Sequence, residues 1–336
     1  VLKLRRGTVV EATLPGEGFQ RLVCEIGGEQ RPAQADPTLV GPCEPGDEVV
    51  VNTEALDLGL GSGGFDIVHV NLTRGLGGSG IEGAHVMKLN YTSLQHAVLP
   101  VEGEELVVPL ARPVAVFGLH GQLAPLAWGL AQARPGAKLG YVQTAGGALP
   151  GTLSEVVRDL REHDLLAGHL TAGAAFGGEA EAITTVGAIH HGLRDLGWDA
   201  CVCGPGPGIL GSGSVLGHGG IVALDSAHAA IALGCPTVVV ARMSSGDPRP
   251  RHQGISHHTL TVLGLMLEPV FVPIPEGVDP ELPDDYRHHI RTYAIDLDGY
   301  EASGLPARTM GRALREDPEF FGAALAAGVA VADMVR

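Results

Sequence analysis

Several absences narrow the reading of this chain before any motif is weighed. Five cysteines in 336 residues are too few and too scattered for a disulfide framework, and none makes a CxxC or zinc-finger spacing. Cys24 and Cys43 stand alone, Cys201 and Cys203 alternate on an apolar run, and Cys235 precedes another. All five read as small buried hydrophobes. No apolar stretch reaches the ~18 residues of a membrane span. The opening Val1-Leu-Lys-Leu-Arg-Arg is not followed by a signal-peptide core, so a soluble, cytoplasmic protein without a membrane partner is expected. A basic surface is missing too: the formal net charge is −16, which argues against nucleic acid as a partner. Lysine is scarce, at three residues (Lys3, Lys88, Lys138) against nineteen arginines. Positive charge therefore comes almost wholly from a group that grips anions bidentately. Aromatic residues make up only 4%, leaving a core of Val, Leu, Ile and Ala. Also absent are GxSxG, a Walker A loop, HExxH, a zinc-deaminase signature and a cysteine in a recognised protease context.

What is abundant is glycine, 50 residues, about twice the usual ~7% share. Much of it is clustered, which suggests shaped loops. Residues 1–110 read as a small β-rich domain, barrel- or sandwich-like. Gly7–Leu14 and Phe19–Ile26 flank a turn at Pro15–Gly18, and Gly27-Gly28 and Pro45-Gly-Asp47 supply two more. Glycine loops at 59–64 and 75–80 surround a strand at Phe65–Leu72. From 111 to 336 the pattern is α/β. Strands fit at 113–118, 137–142, 167–171, 199–203, 236–241 and 270–273, with helices near 122–133, 151–163, 179–196, 219–234 and 256–266 between them and a last helix at 317–335. Such alternation builds a doubly wound, mostly parallel sheet.

The links between these elements are unequal. Helix-to-strand links are short: Arg134-Pro-Gly136, Asp164-Leu165, Gly197-Trp198, Gly234-Cys235. Strand-to-helix links are long or chemically loaded, notably 171–181, 204–220 and 242–258. In a parallel sheet these all leave the carboxyl ends of the strands, where ligands bind. Within 204–220, Gly206-Pro-Gly208-Ile-Leu-Gly211 formally matches GxGxxG. However, the loop runs on to Gly220 before a helix starts, and the next strand ends in Ala241-Arg242 instead of an acid, which speaks against a dinucleotide. Two readings remain: a backbone nest for an anion aided by Ser212 and Ser214, or glycines that let the loop pack tightly.

The segment 242–258 holds Arg242, Asp247, Arg249, Arg251, His252, His257 and His258. Its arginines suit a phosphate or carboxylate cradle, and its histidines suit acid/base work. An arginine–aspartate network that merely orders the loop is the alternative. Adjacent His257 and His258 are expected to point apart in a helix, so only one should reach the site. A divalent metal on Asp247, His252, one of His257 or His258, and His120 stays open. Glu179 and Glu181 are expected in the first turn of a helix, where the dipole favours them, with Glu179 also a candidate base or ligand. His190 and His191 read as packing or surface residues, and His120 sits just beyond the first strand of the α/β region.

The order of motifs resembles an uncharacterised bacterial protein family, domain-of-unknown-function family 3866. The matching runs are LGLGSGG at 58–64, HVMKLNYTSLQ at 85–95, TAGAAFGGEAEA at 171–182, GPG at 204–206, GSGS at 211–214, RHQGISHHT at 251–259 and TMGR at 309–312. The resemblance implies a shared fold and loop set and brings no activity. Where the family's 143–149 loop usually carries an acid this chain has Ala145, so no catalytic carboxylate is expected there.

The sequence thus supports a hydrolase or group transferase for a small anionic metabolite. Arg242, Arg249, Arg251 and the loop residues Gly206, Gly208, Gly211 and Ser212 would hold the anion, with His252 or His257 as acid/base and Asp247 orienting it. A non-catalytic ligand-binding or regulatory protein using the same cradle is the alternative. In a third reading the β domain mediates homo-oligomerisation, as in a homodimer.

Overall fold

The computed structural model describes residues 1–336 except 17, 61–63 and 284–285. The turn at 15–18 and the glycine loop at 59–64 therefore lie partly outside the described residues. The chain divides into two compact units, Val1–Val98 and Leu99–Arg336.

In the first unit, strands β1 (Leu4–Ala12), β2 (Gln20–Ile26) and β3 (Glu29–Ala35) precede a one-turn helix α1 (Pro37–Val40). Strand β4 (Glu48–Asn52), helix α2 (Glu54–Asp57) and strand β5 (Asp66–Asn71) follow. The strands close into a barrel in the order β1-β2-β3-β5-β4. Burial alternates along β2 and β4, so every second side chain points inward. Val9, Leu22, Cys24, Val49, Val51 and Val68 form the barrel core. Closure leaves no sheet edge to template aggregation. A separate hairpin of β6 (Val86–Lys88) and β7 (His96–Val98) completes this unit.

The second unit is the doubly wound α/β region. In chain order it contains β8 (Val114–Val116), α3 (Leu123–Ala133), β9 (Leu139–Thr144), α4 (Glu155–Glu162), β10 (Gly168–Ala172), β11 (Ala180–Ala182), α5 (Thr185–Arg194) and β12 (Ala200–Pro205). Then come α6 (Val222–Ala232), β13 (Thr237–Val239), the short β14 (Met243–Ser244) and β15 (Gly254–Ile255), α7 (His257–Leu265), β16 (Phe271–Pro275), β17 (His289–Tyr293), α8 (Leu297–Ala302) and α9 (Pro318–Met334). Eight strands form one parallel sheet in the order β11-β10-β9-β12-β8-β13-β16-β17. The central strands are buried along their whole length, as expected where helices cover both faces. Helices α5, α6 and α7 bury Ile189, Leu193, Ala227, Ala230 and Val262 on one face. Helices α3, α4, α8 and α9 bury Leu126, Leu130, Leu160, Tyr300, Phe321 and Leu325 on the other. All five cysteines are free and buried. Among the described residues no helix is long and apolar enough to cross a membrane.

One element differs from the sequence reading. The helix expected over 179–196 begins only at Thr185, capped by Thr184, whose side chain accepts from the Gly187 amide. Before it, Ala180–Ala182 adds a parallel edge strand to β10, with Leu170 opposite Ala180. Glu181 is held there by Thr171 Oγ1 and the Gly177 amide. Pairing to an open strand edge outweighs the helix preference of Glu-Ala-Glu-Ala. Only Ile189 and Leu193 of the expected apolar stripe are buried; Ile183, Val186 and Leu196 are exposed.

Strand order locates a switch point. From β8 the chain moves to β9 on one side, whereas from β13, the neighbour of β8, it moves to β16 on the other. Loops leaving the carboxyl ends of β8 and β13 therefore diverge, and a crevice opens between them.

Candidate functional site

A cleft occupies this crevice. It is lined by Gly118 and Leu119 after β8, Val239, Val240 and Arg242 at and beyond the end of β13, Gly220 and Ala223 just before and in the first turn of α6, and His258, Thr259 and Val262 on α7. Two of the loaded loops, 204–220 and 242–258, meet here.

The 242–258 loop is pinned at both ends. Arg242 donates its backbone N–H to Thr259 Oγ1 (2.9 Å) and accepts from the Ser256 amide (2.8 Å). Strands β14 and β15 pair within the loop. Its base rests on buried Asp317, which accepts from Ser244 Oγ and from the amides of Ser245 and Gly246. Asp247, fully buried, takes Arg249 Nη2 at 2.7 Å, Arg242 Nη2 at 3.3 Å and Arg312 Nη2 at 3.5 Å. Arg312 also reaches Asp317 at 2.9 Å. Arg249 foremost holds the Asp247 carboxyl well below the usual range. Gln253 Nε2 donates to the Asp247 carbonyl. In this network Arg242, Arg249 and Arg312 face Asp247 and Asp317, with Arg249 partly in solvent and Glu319 beside Asp317. Arg242 is 4% exposed, and burial lowers it to about 10, which leaves it charged at neutral pH.

Beside Arg242 stand four histidines. His252, 1% exposed, ends the 3-10 turn Pro250–His252, and its Nδ1 lies 2.7 Å from Ser256 Oγ. Ser256 also caps α7 by accepting from the His258 amide. His257 and His258 are the first two residues of α7. His258 Nδ1 accepts from Arg242 Nη1 at 3.2 Å. His218, from the end of the 204–220 loop, stacks on His258 with centroids 3.7 Å apart. The rings of His257 and His258 meet edge to face, 4.3 Å apart with their planes at 63°, and both lie within 5.0 Å of the His252 ring. Of the pair, His258 lines the cleft and His257 packs against the His252 ring. In the first turn no preceding turn blocks either ring, and side chains lean toward the helix N-terminus, where His252 lies.

All four imidazoles are shifted toward the uncharged form. Burial is the main cause throughout. Arg242 and Arg249 then push His252 down to about 4, and His218 and Arg242 push His258 down to about 3. His257 is lowered by burial and Arg251, and His218 by burial and His257. The α7 N-terminus adds to this by disfavouring positive charge. His257 Nε2 and both nitrogens of His218 are buried with no hydrogen-bond partner in good geometry, although the Val215 backbone lies near the His218 ring.

The remaining sequence candidates lie elsewhere or act differently. Arg249 is bound to Asp247, and Arg251 Nη1 donates to the Gly213 carbonyl (3.3 Å), joining the two loops. Ser212 and Ser214 bond each other and the Gly217 backbone. Gly206 sits where a Cβ would meet the Ala148 carbonyl, Gly208 adopts a left-handed conformation, and Gly211 bridges to His218. A Cβ on Gly219 would lie 1.8 Å from the Gly146 carbonyl. Glycine here lets the loop backbones approach each other closely.

His120 turns away from the cleft. Its Nδ1 donates to the Pro205 carbonyl (3.1 Å), and its Nε2 accepts from Ser154 Oγ (2.7 Å), the cap of α4. This resembles a nucleophile–base pair, but Ser154 is only 2% exposed and its oxygen also binds the Val157 amide. Glu179 forms a surface ion pair with Arg161 at 2.7 Å. The loop 171–181 follows β10, four strand spacings from β13, or about 19 Å. Asp247 faces only arginines in its ion pairs and accepts no bond from a histidine.

Sequence reasoning missed His218, Arg312 and Asp317. The first two lie in the runs GSVLGHGG at 213–220 and TMGR at 309–312, but nothing local says that these segments meet.

Fold and cleft together define an α/β protein with a histidine- and arginine-lined site at a sheet switch point. The chain belongs to the family described as Protein of unknown function (DUF3866), whose model matches residues 33–328. No curated protein and no solved structure matches the chain significantly.

Proposed function

We propose that the protein is an enzyme that hydrolyses, or transfers a group from, a small anionic metabolite bound between β8 and β13. The observation that carries this reading is Arg242. Its guanidinium is buried, charged and lines the cleft, and it reaches Asp247 only at 3.3 Å, while Arg249 holds the same carboxylate at 2.7 Å. A buried charge is costly unless a counter-charge pairs with it closely, and a small anion supplies one. Uncharged imidazoles next to that position offer lone pairs to a proton or an electrophile, as hydrolysis and group transfer require.

A thermal-shift panel of inorganic phosphate, phosphate monoesters and small di- and tricarboxylates tests the reading. A true ligand at a hundred times its Kd stabilises by about 2.7 kcal/mol, a rise of several degrees, and Arg242→Lys, which keeps the charge but loses the fork, removes most of it. Incubating each hit with protein and following it by NMR then detects product. If no anion stabilises the protein, the reading fails. Stable binding without turnover favours a ligand-binding protein instead.

A further inference from the structure

The histidine cluster carries a second inference, which stands whether or not the cleft turns over a metabolite. We propose that His252, His257 and His258 hold a divalent transition-metal ion of zinc's class.

The geometry supports this first. One ligating atom from each of the three residues lies within 4.8 Å of the others, the one such group among the described residues. Three nitrogens around a tetrahedral zinc, at 2.0–2.1 Å each, sit about 3.4 Å apart. The longest separation need therefore close by at most about 1.4 Å. A rotation of roughly 25° about χ1 of one histidine moves its far nitrogen that far and stays within a rotamer well.

The hydrogen bonds support it next. A metal-bound histidine normally donates its second ring N–H to a fixed acceptor, which sets the tautomer. Ser256 Oγ stands 2.7 Å from His252 Nδ1, in place to accept that proton and leave Nε2 as the ligand. Nε2 of His257 is buried without a partner. Buried nitrogens are rarely left so, and a metal ion is the partner that three converging imidazoles suit. His218 stacks face to face on His258 and fixes its plane. It forms the wall of the site and is not a ligand in this arrangement.

Imidazole-only donor sets select zinc, copper, nickel and iron over the hard cations magnesium and calcium. Three protein ligands leave a coordination position open, as in catalytic zinc sites. The local charge determines what fills it. Arg242 bonds His258 at 3.2 Å, so a dication here would face a guanidinium. An anionic oxygen between the two relieves that repulsion, and the open position is one for hydroxide, phosphate or carboxylate. On binding, His258 gives up its Arg242 bond or its second ring proton.

The test uses full-length, tag-free protein, stripped with chelator and titrated with Co2+ and then Zn2+. One cobalt per chain is expected, with the strong visible ligand-field bands of a four- or five-coordinate site, bleached by zinc. His257→Gln, at a half-buried position, should weaken binding at least about 100-fold while circular dichroism shows the fold intact. His252→Gln and His258→Gln should do the same. His191→Gln, at a histidine paired with Asp195 on the surface of α5, should bind as wild type. Failure of wild type to take up either metal overturns the proposal, as does uptake unaffected by the three substitutions. If phosphate stabilises a protein that takes up neither metal, the metal site is refuted and the anionic-ligand reading stands.

Discussion

Histidines buried uncharged exact a cost in acid, and two of them lie outside the cleft lining. Burial lowers His120 to about 4 and His169 to about 3, the latter stacked on Tyr141 and bonded to Gln143. In the unfolded chain both titrate near 6.5. Below that pH the unfolded state binds more protons than the folded one, so stability falls as pH falls. Their contribution is complete above about 6.5 and declines toward 4 for His120 and toward 3 for His169. Guanidinium denaturation between pH 6.5 and 5, above most carboxylate titrations, should show a loss of up to about 1.4 kcal/mol per pH unit for each ring. His169→Gln should flatten that slope. Asp247 makes the opposite kind of prediction. Asp247→Asn leaves Arg242, Arg249 and Arg312 facing each other without their shared carboxylate. A loss of about 3 kcal/mol is expected, at the lower end for a broken buried pair because Arg249 is partly exposed. A loss below ~1 kcal/mol by urea titration would show that the network does not order the loop.

At the level of elements, α3 and α9 lie closer together than side chains usually allow. A Cβ on Gly328 would stand 2.2 Å from the Leu126 carbonyl, and one on Gly129 would stand 2.7 Å from the Leu325 carbonyl. Both clashes are with backbone, so no rotamer relieves them. Gly328→Ala should therefore destabilise by about 2 kcal/mol despite alanine's helix advantage of ~1 kcal/mol. Gly264 in α7 faces open space, and Gly264→Ala should stabilise by about 0.5 kcal/mol. Paired melts of the two variants check both signs. Elements of this kind were largely legible in the chain. The apolar runs from Pro113 onward are bounded by glycine and proline, and each became a strand of the parallel sheet. The miss at 179–184 has a physical reason, since a β edge strand is decided by a partner that is not local in sequence. The candidate site was half legible. Arg242, His252, His257 and His258 stand within seventeen residues, and two of them do line the cleft. His218 and Arg312 arrive through tertiary packing, which no spacing rule encodes. Glu179 and His120 looked equally eligible; strand order separates Glu179 from the cleft, and the bonds of His120 to the Pro205 carbonyl and Ser154 turn its ring away.

At the scale of the whole chain, the loop 242–258 sets three arginines close together in a protein with net charge −16. The sheet places that loop beside β8, at the point where connections diverge. Mobile anions are steered to a basic cleft in an acidic surround only at short range, since salt screens beyond ~8–10 Å. Selectivity must come from contacts inside the cleft, and the central claim is where those contacts are. The most direct measurement is an anomalous difference map at the zinc edge, from crystals grown with zinc and phosphate. The account predicts one strong peak bonded to nitrogens of His252, His257 and His258, with an oxyanion between it and the Arg242 guanidinium. Zinc and phosphate bound elsewhere on the protein, with this cleft holding neither, would contradict it.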